Sequence, residues 1–359
     1  MTADAVGGVW THALELSRVL HRAGVEITLA TMGEPLSVAQ RRAASRVAAE
    51  ICESRFRLEW MEDPWDDVRR AGDWLLDIEE RVRPDVVHLN GYAHGALPWR
   101  APCVVVSHSC VLSWWRAVLG GDAPSQYDRY RAEVACGLRA ASAVVAPTRA
   151  MVDAISMHYG RPPNARVVHN AIDPRRLRLE PKEPVILAVG GLWDRAKNIA
   201  TLGSVAARLP WPVLVAGSDR DAAGERRALP GVRALGSLEP PALAACFARA
   251  AIYAAPALYE PFGWGALEAG MSGCALVLGD IPSMREVWGD AASYVPARDP
   301  DALERTLGAL IADERRRRQM AARADTRARL FTPEKLGRGY LDLYADALRR
   351  RVGDIDRCA

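Results

Sequence analysis

The chain has 359 residues, of which 47 are Lys or Arg, 44 are Asp or Glu, and 50% are hydrophobic. This length suits two domains, and this composition is that of a globular protein, which excludes a mainly disordered or a fibrous chain. The formal net charge of +3 is too small to predict nucleic acid as a partner. The seven cysteines are odd in number and form no C-x-x-C pair, so we expect a reduced, cytoplasmic protein.

The sequence predicts no segment that crosses a membrane. The longest apolar stretch, Leu243–Tyr259, is interrupted by Arg249, and the opening Met1–Gly8 lacks the basic character of a secretory signal. Two basic runs, Arg315–Arg318 and Arg349–Arg351, are interpreted as solvated helix faces. The alternative for these runs is a peripheral contact with an anionic membrane surface or with an acceptor.

The first half of the chain alternates short β-branched runs with turn or helix signals. This alternation predicts parallel strands joined by crossover helices, which is an α/β domain. The expected strands of this half are Val25–Thr31, Val86–Leu89, Val104–Ser107, Ala143–Pro147 and Val167–His169.

The opening of the chain predicts a helix with an unusually short strand before it. Apolar residues form one stripe over Thr11–Ala23, and Gly24 ends the helix. A strand should precede the Gly7 and Gly8 pair, but only six residues are available, so we expect this strand to be very short or absent. One hypothesis is that the native start lies upstream, which mass spectrometry finding a native terminus at Met1 would contradict.

A segment rich in proline and charge, Asn170–Pro184, predicts a linker, and the alternation of strands and helices restarts beyond it. The sequence therefore predicts a second α/β unit of similar size. Its expected strands are Val185–Val189, Val213–Ala216, Val232–Leu235, Ala251–Ala255, Ala275–Leu278 and Ser293–Val295. The expected helices that follow are Thr201–Leu209, Pro241–Arg249, Gly265–Met271, Asp299–Ala312 and Pro333–Arg350.

The most informative segment is Tyr259–Gly273, which reads YEPFGWGALEAGMSG and follows an apolar strand. Open α/β sheets bind ligands at the carboxyl ends of their strands. Pro261 and Gly263 favour a tight turn, and the helix after it presents its positive end to phosphate. Glu268, one turn into that helix, can accept hydrogen bonds from a sugar diol. The alternative is that Glu268 complements the helix dipole and that Glu260 is a solvated loop residue.

The pair of glutamates, with Pro-Phe-Gly after the first, resembles the signature of the family-4 retaining glycosyltransferases. The segments GGVWTHALELSRVLHRAGVEITLAT, PDVVHLNGYAH, VVVSHS, VVHNAID and VGGLWDRAKN resemble other parts of that family. The resemblance implies the GT-B fold, in which two Rossmann-like, doubly wound parallel-sheet domains face each other across a cleft. It divides the chain into an acceptor-side domain (1–173), a donor domain (185–332) and a helix (333–350) that crosses back to the first domain.

In that family the nucleotide-sugar sits in the C-terminal domain. The resemblance therefore implies that Glu268 holds the nucleotide ribose and that Glu260 lies beside the transferred sugar. The backbone of Phe262 and Gly263 would contact the hydroxyls of that sugar, and Trp264 belongs to the same donor-binding segment.

Lys197 follows an expected strand in GGLWDRAKN, where a cation can neutralise a departing diphosphate. The family commonly pairs such a lysine with an arginine, but this chain has Gly191 at that position. Arg195 is the nearest residue that could compensate for it. The alternative for Lys197 is a surface lysine at a helix start, where its charge would be mildly unfavourable.

On the acceptor side, His108 ends an expected strand, and the resemblance implies that it contacts the acceptor or the transferred sugar. Its neutral imidazole could move a proton, and a purely structural histidine is the alternative. His88, Asn90 and His94 follow the preceding strand, and binding and packing are equally supported for them.

Two further features suit acceptor binding. Gly7 and Gly8 allow close approach of the backbone to a phosphate or an acceptor group, although a tight turn alone needs the same residues. Trp114 and Trp115 follow the His108 segment, and we expect at most one of them, Trp114 in our assignment, to form an aromatic platform for a sugar.

The sequence therefore predicts a retaining glycosyltransferase with a nucleoside diphosphate sugar as co-substrate and no further cofactor. The acceptor is a sugar, a lipid-linked or another small molecule. The D-x-D triplets Asp219–Asp221 and Asp354–Asp356 are interpreted as chance, so no catalytic metal is expected. One alternative is an epimerase or hydrolase of the same fold, which would need more acid/base carboxylates than Glu260. Another is a degenerate sugar-nucleotide-binding relative, which Gly191 favours.

Overall fold

The computed structural model describes residues 1–177, 179–220 and 224–358, with side chains described as far as Arg351. This part of the chain forms two compact α/β units with parallel sheets, as the alternation predicted. The first unit comprises Met1–Arg116, Gly121–Ala171 and the C-terminal stretch from Thr332, and the second comprises Ala117–Gly120 and Ile172–Phe331.

The first unit contains two parallel sheets, whose strands are adjacent in chain order. One sheet consists of β1 (Thr2–Asp4), β2 (Thr28–Met32) and β3 (Glu50–Glu53). The other consists of β4 (Val87–Leu89), β5 (Cys103–Val106), β6 (Ala143–Ala146) and β7 (Arg166–Val167). The three residues of β1 pair with β2, which confirms the prediction of a very short first strand.

The helices of the first half connect these strands and cover the sheets. They are α1 (Gly7–Arg22), α2 (Val38–Ala44), α3 (Trp65–Val82), α4 (Val111–Leu119), α5 (Asp128–Ala140) and α6 (Arg149–Tyr159). The prediction for α1 was wrong at its start, because the helix begins at Gly7, directly after the extended Val6, and Gly7 itself has a φ of +70°. The end was predicted correctly, since Gly24 has a φ of +81° just beyond the helix.

The second unit is built on one six-stranded parallel sheet with the order β10-β9-β8-β11-β12-β13. Its strands are β8 (Glu183–Val189), β9 (Val213–Ala216), β10 (Val232–Gly236), β11 (Ala250–Ala255), β12 (Ala275–Gly279) and β13 (Ser293–Val295). Its helices are α7 (Ile199–Ala206), α8 (Pro240–Arg249), α9 (Trp264–Met271), α10 (Pro282–Trp288), α11 (Pro300–Ala312) and α12 (Glu314–Ala328). Since β8 and β11 pair in the middle of the sheet, with Leu187 opposite Tyr253, the loops after these two strands lie side by side.

The last helix, α13 (Pro333–Cys358), extends beyond the predicted end at Arg350 and belongs to the first unit. Its buried face carries Leu336, Tyr340 and Leu343, which join Leu16 and Leu20 of α1 in one apolar core. Helix α13 thus brings two C-terminal tyrosines, Tyr340 and Tyr344, against the first helix and the β4–β5 sheet.

Candidate functional site

In the second unit, the loop after β11 folds around the carboxylate of Glu260. Gly263 adopts a φ of +90°, which favours glycine, and its backbone N–H donates to Glu260 Oε1 over 3.1 Å. The hydroxyl of Ser283 donates to the backbone carbonyl of Glu260. Helix α9 starts at the next residue, Trp264, so Glu268 lies one turn into the helix, as predicted.

The structure brings Lys197 and Glu260 together as an ion pair in which the ammonium donates to Glu260 Oε2. Burial alone would lower the pKa of Lys197, but the charge of Glu260 and the hydrogen bond with it outweigh that effect and raise the pKa. Gly190 makes room for the lysine, since a Cβ at this position would lie 2.8 Å from Lys197 Cγ. The lysine is therefore charged at neutral pH and is held at the carboxyl end of β8.

Hydrogen bonds to backbone carbonyl groups connect the loop that carries Lys197 to the loop after β11. The N–H of Leu258 donates to the carbonyl of Ala196 over 2.8 Å, and Asn198 Nδ2 donates to the carbonyl of Pro256 over 2.9 Å. The two residues of this loop that form these bonds, Ala196 and Asn198, lie directly before and after Lys197 in the sequence. They fix the position of the ammonium relative to the Glu260 loop, and no sequence pattern predicted the part that Asn198 plays.

Tyr253 of β11 is a further residue of this site that the sequence did not predict. Its side chain is buried, and a Cβ on Gly265 would overlap its hydroxyl, so the glycine at the start of α9 makes space for the phenol. Burial raises the pKa of Tyr253, and the charges of Glu260 and Glu268 raise it further. The phenol therefore stays protonated close to both glutamates.

The remaining donor-side candidates differ in exposure. The ring of Phe262 is buried against Trp264 and Phe331, with centroids 6.1 and 5.7 Å apart. Trp264 is half-buried, and Arg195 is exposed. Gly191 lies beneath Trp193, because a Cβ at Gly191 would approach the indole nitrogen of Trp193 to 2.8 Å.

In the first unit, the structure brings His108 together with Asn90 and His88. Both histidines place Nε2 on Asn90 Oδ1, at 2.7 Å from His108 and 3.2 Å from His88. A third histidine, His12, lies edge-on to His108 with ring centroids 4.6 Å apart. Burial lowers the pKa of His108 and His88 well below the usual value; the proximity of His12 lowers both further, as does that of His88 for His108 and that of the N-terminal ammonium for His88.

His12 was not predicted as part of this cluster. It is fully buried on α1, where Nδ1 meets Asn170 Oδ1 at 3.0 Å and Nε2 meets the Tyr340 hydroxyl at 3.3 Å. Burial lowers its pKa to about 4, although the hydrogen bond with Asn170 opposes this. A histidine in an apolar helix stripe carries no sequence signal of its own, since its partners are 158 and 328 residues away.

The other acceptor-side candidates do not join the His108 cluster in hydrogen bonds or ring contacts within the described part of the chain. His94 Nε2 meets the carbonyl of Val68 at 2.9 Å, and burial lowers its pKa. Gly7 and Gly8 are exposed at the start of α1. Trp114 is half-buried on α4, edge-on to Trp115 with centroids 6.1 Å apart.

The D-x-D triplets fall partly outside the described residues, namely at Asp221 and at the side chains of Asp354 and Asp356. Asp219 pairs with Arg226 at 2.7 Å. Over the described ranges, no group of three His, Cys, Asp or Glu side chains is placed to hold a metal ion. None of the described helices is long and apolar enough to cross a membrane.

Two family models match the chain along most of its length. The model described as Glycosyltransferase Family 4 matches residues 6–176, and that described as Glycosyl transferases group 1 matches residues 183–313. The chain belongs to the family-4 glycosyltransferases. The resemblance seen in the sequence is thereby confirmed.

Individual relatives and solved structures agree with this assignment. A D-inositol 3-phosphate glycosyltransferase of Xylanimonas cellulosilytica is 29% identical over 98% of this chain and 94% of its own length. A phosphatidyl-myo-inositol mannosyltransferase of Mycolicibacterium smegmatis is 26% identical over 91% of this chain and 87% of its own.

The solved structures establish the GT-B fold. Sucrose-phosphate synthase from Thermosynechococcus elongatus superimposes with a TM-score of 0.78 at 16% identity, covering 97% of this chain and 96% of its own. Anabaena HepE in complex with UDP and glucose gives a TM-score of 0.75 at 15% identity, covering 96% of this chain and all of its own. The predicted GT-B fold is thus confirmed.

Proposed function

We propose that this glycosyltransferase moves a sugar from a nucleoside diphosphate sugar to a hydroxyl of its acceptor and retains the anomeric configuration. The observation that carries the donor site is the ion pair of Lys197 with Glu260 next to the N-terminus of α9. A charged lysine and a helix N-terminus are two groups that stabilise a diphosphate. Glu268, one turn further on, is then placed to accept hydrogen bonds from the ribose hydroxyls.

The pairing of Lys197 with Glu260 has a chemical consequence for the departure of the diphosphate. When a donor binds, the diphosphate offers the ammonium a second anionic partner, and negative charge grows on the leaving oxygen as the glycosidic bond breaks. A charge held in place beforehand stabilises that growing charge without reorganisation. We infer that the acceptor attacks on the face from which the diphosphate leaves and that the leaving phosphate takes the acceptor proton. This proposal needs neither a covalent nucleophile nor a metal.

The names of the relatives direct the search for substrates. HepE was crystallised with UDP and with UDP-glucose, and several curated relatives are named for inositol 3-phosphate. We therefore propose UDP-sugars as the first donors and D-inositol 3-phosphate as the first acceptor to test. A fold serves many substrates, so the other nucleotides and sugars belong in the same screen.

The first experiment is a thermal-shift screen with UDP, GDP, ADP, CDP and dTDP, each alone and as a sugar conjugate. A ligand that binds the native state raises the melting temperature by mass action. A selective shift would identify the donor, and NMR of the transfer product would then give its anomeric configuration. Inverted product would contradict retention, altered free donor would indicate an epimerase or hydrolase, and binding without turnover would favour a degenerate relative.

Glu268→Gln tests the proposed ribose contact. A hydrogen bond to a charged acceptor contributes about 1.5–3 kcal/mol, so we expect the affinity for the selected nucleotide to fall by about 10- to 100-fold. Calorimetry measures the affinity, and the melting temperature without ligand shows whether the variant is folded. Glu314→Gln, an exposed change on α12, is the matched control and should bind like the parent. Unchanged affinity in folded Glu268→Gln would remove Glu268 from the site.

A further inference from the structure

The hydroxyl of Tyr253 is a buried polar group that the described part of the chain leaves unpaired. The side chain is 3% exposed, and its ring packs against Phe247 with centroids 5.8 Å apart. Within residues 1–177, 179–220 and 224–358, no donor or acceptor forms a hydrogen bond with this hydroxyl. Buried polar groups of folded proteins are almost always paired, so an unpaired one beside a candidate site points to a ligand.

Gly265, the second residue of α9, shows where this hydroxyl lies. A Cβ added to Gly265 would overlap the Tyr253 hydroxyl and would lie 3.7 Å from the Cβ of Val189, the last residue of β8. The hydroxyl therefore lies at the first turn of α9, beside the carboxyl end of β8. Lys197 packs on Gly190, the residue that follows Val189. The phenol is thus close to both groups that we propose for binding the diphosphate.

The surroundings of the phenol determine which kind of ligand atom suits it. The charges of Glu260 and Glu268 and the burial of the ring raise the pKa of Tyr253, so the phenol keeps its proton and offers an O–H donor. The N-terminus of α9 and the ammonium of Lys197 both attract anions. An oxygen atom that accepts a hydrogen bond at this point therefore belongs to an anionic group such as a phosphate.

We propose that Tyr253 is a diphosphate-binding residue whose hydroxyl donates to a phosphate oxygen of the donor at the first turn of α9. This inference rests on the proposed transferase function and deepens it, because it adds a neutral donor to the charge of Lys197 and to the positive end of the helix. The bound donor satisfies a hydroxyl that the described residues of the free protein do not.

The arrangement lowers the stability of the free protein in two ways. A buried hydroxyl without a partner loses its hydration and gains no hydrogen bond in return. Gly265, which makes room for the hydroxyl, has more backbone freedom to lose in a helix than alanine has. A hydroxyl whose only role is structural has the opposite effect, because it forms a hydrogen bond within the protein. The two roles therefore predict opposite effects of removing the hydroxyl.

Tyr253→Phe removes the hydroxyl and keeps the ring. We expect the melting temperature of the free variant to equal or exceed that of the parent. A hydrogen bond to a charged acceptor is one of the stronger kinds, so we expect the affinity for the selected nucleoside diphosphate to fall about 10- to 100-fold. Higher stability together with weaker binding is the result that a structural role would not give.

Tyr294→Phe is the matched control in the same unit. Tyr294 lies in β13, and its hydroxyl donates to the backbone carbonyls of Gly289 over 2.7 Å and Met284 over 3.3 Å. This variant removes a hydroxyl that the protein itself satisfies. We therefore expect a lower melting temperature and the parental affinity for the nucleotide, which is the reverse of the result expected for Tyr253→Phe.

The experiment is calorimetry on the parent and the two variants, with the selected nucleoside diphosphate and with inorganic pyrophosphate as ligands. Tyr253→Phe should bind both more weakly, since pyrophosphate has no ribose or base. Parental affinity in folded Tyr253→Phe would overturn the proposal, and so would a loss confined to the nucleotide, which would assign the hydroxyl to another part of the donor. A parent that binds neither ligand would instead contradict the proposed function itself, and this inference with it.

Discussion

At the residue scale, the indole of Trp193 occupies the space that a side chain at position 191 would need. The indole lies over Gly191, and a Cβ there would approach its nitrogen to 2.8 Å. Trp193 is 46% exposed, so its ring rests on the backbone rather than in a core. A larger residue at 191 therefore has to displace this indole before its own side chain can reach a ligand.

Restoring a cation at this position should depend on Trp193. We expect Gly191→Arg to raise the affinity for the selected nucleoside diphosphate about tenfold when Trp193 is replaced by Ala, since a guanidinium binds phosphate in charge-assisted hydrogen bonds. In the parent background the gain should be clearly smaller, because the indole must first move. Calorimetry on the four proteins of this double-mutant cycle gives the coupling free energy between positions 191 and 193. The same gain in both backgrounds would show that Trp193 does not obstruct position 191.

Sequence reasoning identified the residues that follow strands and missed those that approach from other elements. Glu260, Lys197 and His108 each lie in the loop that follows an apolar strand, so the parallel-sheet pattern alone places them at the carboxyl end of a sheet. His12 and Tyr253 lie within a helix and a strand, where a polar side chain resembles an ordinary core residue. Their roles depend on tertiary contacts that no local pattern encodes.

At the element scale, strands with several apolar residues were predicted closely, and the weakly patterned one was not. The predicted Val213–Ala216 and Ser293–Val295 coincide with β9 and β13. Strand β3 was missed because Glu50–Glu53 has a charged residue at each end and offers only Ile51 and Cys52 as apolar signal. Such a strand forms because β2 provides backbone partners, which is a tertiary effect.

The contact between α1 and α13 depends on a glycine, which gives a prediction at this scale. A Cβ on Gly337 would overlap Val19 Cγ1, so the two helices pack more closely than an alanine allows. We expect Gly337→Ala to lower the free energy of unfolding by about 1–3 kcal/mol through overpacking, measured by urea denaturation.

Two further variants show whether close packing causes the loss of stability in Gly337→Ala. Gly308 lies on α11, and a Cβ added there would meet no described atom within 4 Å, so Gly308→Ala should be neutral or stabilising by up to about 1 kcal/mol. Adding Val19→Ala to Gly337→Ala should restore part of the lost stability. If both glycine variants behave alike, close packing does not explain Gly337, and the conformational preference of alanine is sufficient.

At the scale of the whole molecule, the two units repeat one architecture but place different chemistry at their strand ends. The first unit holds three neutral imidazoles in ring contact, of which His88 and His108 share the side-chain oxygen of Asn90. The second holds a charged lysine against a carboxylate. The alternation of strands and helices alone predicts both units as α/β. The difference in charge follows from the burial of the side chains, which the sequence does not show directly.

This difference predicts that mild acid destabilises the first unit selectively. The unfolded state binds a proton on His12 near the ordinary pKa of 6.5, whereas the folded state does so only near 4. Below pH 6.5 the unfolded state therefore binds more protons, so stability is full above this value and falls as the pH drops towards 4. For His12 alone the loss at pH 5 is on the order of 2 kcal/mol, and the lowered pKa values of His88 and His108 act in the same direction. The raised pKa values of the carboxyls of Asp4, about 6, and Glu59 act in the opposite direction and offset part of this loss.

Hydrogen exchange at pH 7 and pH 5, corrected for the intrinsic exchange rates, resolves the two units and measures this effect. We expect protection to fall at pH 5 in the core strands β5 and β6 and to persist in β8 and β11. His12→Gln removes one titrating group and keeps a polar side chain, so its protection in the first unit should depend less steeply on pH. An equal loss in both units would place the acid-sensitive groups elsewhere, and an unchanged slope in His12→Gln would show that His12 already titrates normally in the folded protein.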